Sequence, residues 1–287
     1  MRMLLVHGRS QEDKDPVALQ DTWMGALKEG LDKSQLALGA DVKIDFPYYG
    51  DKLFELAKQM DLPAGDGVVP KGSADFNEYN QFRTDMAEEL KKSANITDAE
   101  VQAVRREEPK AKGIQNWEWV QAIIRVLDQR LPDVTANAIE HFLRDVFLYC
   151  RKPPVRRAID AIVSAKLTPD TTVVIGHSLG SVVAYNVLCG RPEPKVPLFV
   201  TVGSPLGLST VRNALDKPIR NPAGPRGWYN AFDDRDVVAL YPLDAQGFGV
   251  APAITNYGKV RNKTDNRHGI IGYLDDLDVA KMIHSGF

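Results

Sequence analysis

The chain has 287 residues, 44% of them hydrophobic and 26% charged, with a formal net charge of −2. Such proportions belong to a globular protein built as one large domain, or as one domain carrying a sizeable insertion. The balance of charge gives no electrostatic case for nucleic acid or an anionic membrane, and no apolar run approaches the length of a membrane span.

In chain order, Met1–Val6 reads as a buried strand that stops at His7-Gly8. The opening apolar run is too short for a signal peptide. Cys150 and Cys189 show no zinc or redox spacing and read as small apolar residues in a reducing compartment. The expectation is a cytoplasmic protein with no metal and no cofactor, its oligomeric state open. Arg9 to Asp15 is polar and loop-like. Pro16 then opens a helix with Asp15 as N-cap, and Leu19, Trp23, Met24, Leu27 and Leu31 follow at helical spacing. Val42 to Phe46 alternates like a strand and Pro47 ends it. Strand, helix, strand in that order implies a parallel sheet with right-handed crossovers.

Asp51 to about Pro153 changes character and holds no convincing strand. Leu62 to Ser73 and Pro109 to Gly113 read as loop and break. Four helices are predicted at Phe76 to Ala94, Asp98 to Glu108, Trp117 to Leu131 and Val134 to Cys150, the last with Val134, Ala138, Phe142, Val146 and Cys150 on one face. The block 51–153 is read as a helical cap inserted over the carboxyl edge of the sheet. A separate bundle with its own partner is the alternative. From Pro154 the alternation resumes: a helix over Val155 to Leu167, a strand at 171–175, and a helix after Ser178 that stops at Gly190 and Pro192. Strands follow at Leu198 to Val202, Trp228 to Phe232 and, more weakly, Ile254 to Tyr257, and a helix closes the chain over Asp275 to His284. The predicted fold class is α/β, a mostly parallel sheet flanked by helices. Residues 1–50 and 154–287 form its core.

The most informative stretch is Thr171-Thr-Val-Val-Ile-Gly-His-Ser-Leu-Gly180. A buried strand, a tight Gly-x-Ser-x-Gly turn and a helix form a nucleophile elbow, with Ser178 on the turn and free helical N–H groups behind it. A serine hydroxyl needs a base within reach, and the base needs an orienting acid. In folds with this elbow the order is Ser, acid, His. Beyond Ser178 the acid candidates are Asp236, a short turn past a strand end, and its neighbours Asp233 and Asp234, which could instead cap the turn around Arg235. His268 lies in a polar loop, read as exposed, and is favoured as base over His284, whose place at a helix C-terminus suits a plain cation. His177 and His7 read as structural and His141 as a cap-helix residue. Oxyanion donors are expected at the backbone N–H groups of Leu179 and Arg9. The Arg9 side chain either grips an anionic substrate group or pairs with an acidic cap residue. Tyr48 and Tyr49 either line a pocket or pack a turn, and Trp117, Trp119, Phe142 and Phe147 contact an apolar substrate or fill helix cores.

Together these residues resemble the α/β-hydrolase superfamily, and within it lipase/esterase-like members. Gly176-His-Ser-Leu-Gly180 resembles the lipase nucleophile motif, and His7-Gly8 the oxyanion-loop dipeptide. Thr201-Val-Gly-Ser-Pro205 is similar to the segment that many intracellular lipases carry after the elbow helix. Asp236-Val-Val238 and His268-Gly269 resemble the acid and base loops. The resemblance implies an α/β-hydrolase fold that lacks the family's opening hairpin. It implies hydrolysis of a small-molecule ester or acyl-lipid substrate through Ser178, His268 and Asp236. Amide or thioester cleavage, acyl transfer, or a binding role without turnover are the alternatives.

Overall fold

The computed structural model describes residues 1–60, 74–106, 115–130, 135–191, 195–239, 241–265 and 267–287. Among them six strands form one sheet: β1 (Arg2–Val6), β2 (Lys43–Asp45), β3 (Thr171–His177), β4 (Leu198–Val202), β5 (Gly227–Ala231) and β6 (Thr255–Tyr257). Their spatial order is β2-β1-β3-β4-β5-β6, and every neighbouring pair is parallel. The helices are α1 (Pro16–Asp32), α2 (Gly50–Gln59), α3 (Ala74–Ser93), α4 (Asp98–Arg106), α5 (Gln115–Arg130), α6 (Ala136–Arg151), α7 (Pro153–Ser164) and α8 (Leu179–Gly190). Two single turns, α9 (Ser209–Arg212) and α10 (Ala245–Phe248), precede α11 (Ile271–Leu274) and α12 (Leu277–His284).

The central strands are apolar at nearly every position because helices cover both faces of the sheet. Side chains alternate between two cores. Met3, Leu5, Val173, Ile175, Leu198, Val200 and Val202 pack with Trp23, Leu27 and Leu31 of α1 and Val279, Ala280 and Ile283 of α12. Leu4, Val6, Val174 and Phe199 point the other way, into a cluster with Ile159 of α7 and Val182 and Val183 of α8. That second cluster continues into Tyr79 and Leu90 of α3, Val120 and Ile123 of α5, and Leu143 and Phe147 of α6. Arg83 of α3 and Glu140 of α6 form a buried ion pair there, with Arg83 Nε donating to Glu140 Oε2 at 2.9 Å and Gln121 of α5 adding a third donor.

Local signals set several boundaries. Asp15 caps α1, accepting from the backbone N–H groups of Val17 and Ala18, and Pro16 takes the first helical position. The closing helix differs from the expected single element over Asp275 to His284. The chain makes the short α11, then restarts as α12 where the Asp276 carboxylate accepts from Asp278 N and Val279 N. Helix α2, which the sequence reading did not single out, begins shortly after β2 and buries Leu53 and Ala57. The loop at 62–73, the break at 109–113 and Val134 lie outside the described residues. No helix among the described residues is long and apolar enough to cross a membrane.

The winding reverses between β1 and β3: the chain passes from β1 to β2 on one side and returns to place β3 on the other. The two loops leaving such neighbouring carboxyl ends diverge and open a crevice, the usual ligand position in open α/β sheets. Here those loops begin at His7 and at Ser178.

Candidate active site

Ser178 sits between the end of β3 and the first residue of α8 with φ 53° and ψ −130°, a region that non-glycine residues rarely occupy. Such strain costs of the order of 1–3 kcal/mol and is held only by its surroundings. Ser178 N donates to Val202 O of β4 at 3.2 Å, and Ser181 Oγ donates to Ser178 O at 2.6 Å. The side chain is thereby turned over the sheet edge.

The sheet edge supplies its neighbours. Asp236 follows β5 after a turn closed by Asp236 N donating to Asp233 O at 3.1 Å. His268 lies before α11. His268 Nε2 is 2.8 Å from Ser178 Oγ, and His268 Nδ1 is 2.7 Å from Asp236 Oδ2. A carboxylate can only accept, so Nδ1 carries the proton and Nε2 is free to receive the serine's. Asp236 is fully buried, and its Oδ1 accepts from Val238 N at 2.9 Å. The His268 side chain is 17% exposed rather than open to solvent as its polar loop suggested, because the ring packs 4.9 Å from that of His177. His177 Nε2–H also donates to the His268 backbone carbonyl at 2.7 Å. Burial, reinforced by the charge that His268 can carry, lowers the His177 pKa to about 3, so this donor stays neutral.

The other candidates are occupied elsewhere. Asp233, also fully buried, accepts from Arg235 N and Asn262 N and ties two loops together. Asp234 is exposed and faces Arg235 and Arg261. His284 ends α12 on the outer layer. Tyr273 of α11 was not singled out from sequence, yet its hydroxyl donates to Asp236 Oδ2 at 2.6 Å.

The loop after β1 runs directly over the elbow. A Cβ at Gly8 would lie 3.0 Å from Ser178 Cβ. His7 anchors this loop: its Nδ1–H donates to Gly8 O at 2.7 Å, its Nε2 accepts from Tyr49 N at 3.0 Å, and its ring stacks on Tyr49 at 4.0 Å. Burial lowers the His7 pKa to about 4, which keeps Nε2 an acceptor. The Arg9 side chain reaches α6, with Nε donating to Asp145 Oδ2 at 3.1 Å and a terminal nitrogen to Ala138 O at 3.2 Å. Of the two readings of this side chain, the structure has the pairing with an acidic residue of the helical block. Leu179 N stands at the start of α8, immediately behind Ser178.

Ser178 and His268 open into a cavity of about 420 Å³. Its walls include Leu19, Thr22 and Trp23 of α1, Leu90 of α3, and Ala138, Ile139 and Phe142 of α6. Val237, Val238 and Ile270 close it, and Gln11 and Lys14 line its polar side. Tyr48, Tyr49 and Trp119 are not among the lining residues. The Tyr48 hydroxyl donates to Gln11 O and bonds Asp51, Tyr49 is buried under His7, and Trp119 Nε1 donates to Glu88 with Lys91 over its ring. Phe147 is buried against Tyr79 and Phe82. The side chain of Trp117 lies outside the described residues. Leu19 and Trp23, read from sequence only as lying at helical spacing, both line the cavity, and Trp23 does so while also packing in the core against the sheet. Among the described residues no group of three or more His, Cys, Asp or Glu could hold a metal ion. Compared with known proteins, the chain matches no family model, no curated protein and no solved structure.

Proposed function

We propose that the protein is a serine hydrolase of the α/β-hydrolase type that cleaves carboxylic esters with an apolar acyl group. One observation carries the reading: a strained serine, an imidazole and a buried carboxylate follow one another at 2.8 and 2.7 Å across one sheet edge. The apolar lining from Leu90, Ile139, Phe142, Val237 and Val238 supports an acyl chain as the bound group. In this reading residues 1–50 and 154–287 form the catalytic core and the 51–153 block is its cap.

Ser178 Oγ attacks the ester carbonyl carbon while its proton passes to His268 Nε2. Asp236 holds the imidazole in the required tautomer and stabilises the imidazolium as it forms. The carbonyl oxygen becomes an oxyanion, met by the backbone N–H groups of Leu179 and Arg9; one such donor is worth about 2.7–4 kcal/mol in comparable sites. The C–O bond breaks, the alcohol leaves with the proton from Nε2, and water activated by His268 releases the acid from the acyl-enzyme.

A fluorophosphonate probe tests the reading, followed by p-nitrophenyl esters of increasing chain length. Expected are stoichiometric labelling of Ser178 and ester turnover that Ser178→Ala and His268→Ala both abolish. An unlabelled serine, or turnover that survives Ser178→Ala, overturns it.

A further inference from the structure

Asp236 Oδ2 serves two donors at once, His268 Nδ1–H at 2.7 Å and the Tyr273 hydroxyl at 2.6 Å. Both Asp236 and Tyr273 are fully buried. A buried phenol needs a partner, but any acceptor would satisfy that need. This one engages the same oxygen that orients the imidazole, while Oδ1 is taken by Val238 N. Burial above all, and then the charge of Asp236, raise the Tyr273 pKa well above the ordinary value, so the hydroxyl stays protonated and donates.

We propose that Tyr273 is a positioning residue for the Ser178–His268–Asp236 relay, taking up part of the Asp236 charge and so setting how strongly that carboxylate stabilises the His268 imidazolium. The proposal rests on the serine-hydrolase reading. A carboxylate that accepts three hydrogen bonds is pinned in plane and is a weaker partner for each donor than one that accepts two. Tyr273 thus trades some stabilisation of the imidazolium for a fixed carboxylate.

The other polar groups around this unit are committed. Asp233 faces the Tyr273 hydroxyl only through its backbone N–H at 3.4 Å, and its carboxylate turns to Asn262 N and Arg235 N. From β3, His177 faces His268 as a neutral ring. The Arg235 and Arg261 side chains reach Asp233 and Asp234 instead of Asp236.

The test compares Tyr273→Phe, wild type, and protein carrying 3-fluorotyrosine at position 273, whose hydroxyl is the stronger donor. For Tyr273→Phe the acid limb of kcat/KM against pH should move up by about one unit, a tenfold change in the protonation equilibrium. KM should stay within about twofold, since the group touches no substrate. The fluorinated protein should move the limb the other way, and it retains the ring and hydroxyl if the phenylalanine variant fails to fold. The low-field proton resonance of His268 Nδ1–H in a Ser178→Ala background should also shift with the donor at position 273. An unmoved limb and an unmoved resonance across the series overturn the proposal, whatever happens to absolute rate. The resonance needs no turnover, so it reads the Tyr273 coupling even if absent fluorophosphonate labelling has already removed the hydrolase reading.

Discussion

Gly180 and His7 touch so closely that only hydrogen fits between them: a Cβ at Gly180 would lie 2.2 Å from the His7 carbonyl oxygen and 2.7 Å from its carbon. The contact joins the first turn of α8 to the loop leaving β1, the two segments that carry the proposed oxyanion donors. The obstructing atoms are backbone on both sides, so neither can swing away. Gly180→Ala should therefore separate the loops, costing about 1–3 kcal/mol of stability for the overpacking and a larger fraction of activity. Gly190 closes the same helix with nothing within 4 Å of a Cβ. Gly190→Ala should leave activity unchanged and raise stability by about 0.5–1 kcal/mol. Urea midpoints and ester turnover of both variants check the contrast, and equal behaviour would refute it.

Gly203 makes the same kind of room at the acid. It has φ +56°, and a Cβ there would lie 3.0 Å from the Tyr273 ring, 3.2 Å from His268 Cε1 and 3.3 Å from Asp236 Oδ2. An alanine faces both an unfavourable backbone angle and three neighbours that meet at one carboxylate. Gly203→Ala should lower kcat by at least about tenfold through displacement of His268, since small misplacements of reacting groups are costly. The rate at which a fluorophosphonate phosphonylates Ser178, with loss of fluoride, should slow in parallel. Labelling at the wild-type rate would mean that the carboxylate and imidazole adjust freely.

The strand–turn–helix at Ser178 and the loops that bring Asp236 and His268 beside it are legible because each is a local signal: a strand, then a special turn or a short polar run. The alternation of Met3 and Leu5 with Leu4 and Val6 says that both faces are covered, without saying by what. What covers them depends on where helices distant in the chain come to rest. Leu90 and Phe142 wall the cavity, whereas Trp119 and Phe147, no less aromatic or apolar in sequence, are consumed by packing between helices. Tyr273 shows the same limit from the other side. One tyrosine among nine, its role comes from an oxygen 37 residues away.

Ala138 offers a way to read chain length without disturbing the core. It is only partly buried, lines the cavity from α6, and engages Arg9 through its backbone carbonyl rather than its side chain. Ala138→Phe should project a ring into the lumen and leave the Arg9 contact in place. Each methylene so excluded costs about 0.8 kcal/mol, about fourfold in kcat/KM. Long-chain p-nitrophenyl esters should lose progressively more than acetate, whose turnover should stay within about threefold of wild type. A uniform loss across chain lengths would place the acyl group somewhere other than beneath α6.

Stability should fall on mild acidification because two buried histidines resist protonation. Burial holds the His7 pKa at about 4 and the His177 pKa at about 3, whereas in the unfolded chain each binds a proton near the ordinary value of about 6.5. Between those limits the unfolded state holds more protons than the folded one, so unfolding becomes easier as pH drops. The penalty begins near pH 6.5, grows by roughly 1.4 kcal/mol per pH unit for each histidine, and stops growing for His7 below about 4 and for His177 below about 3. His141, partly buried on α6, is shifted in the same direction. The physical cause is visible at each ring: His7 Nε2 must stay bare to accept from Tyr49 N, and a charged His177 would face the His268 ring. His177→Gln keeps an N–H for the His268 carbonyl and cannot titrate. Urea midpoints between pH 7 and 4 should therefore decline steeply in the wild type and with a slope lower by roughly 1.4 kcal/mol per pH unit in the variant. A variant that loses stability as steeply as wild type would show that His177 accepts its proton without strain in the folded state.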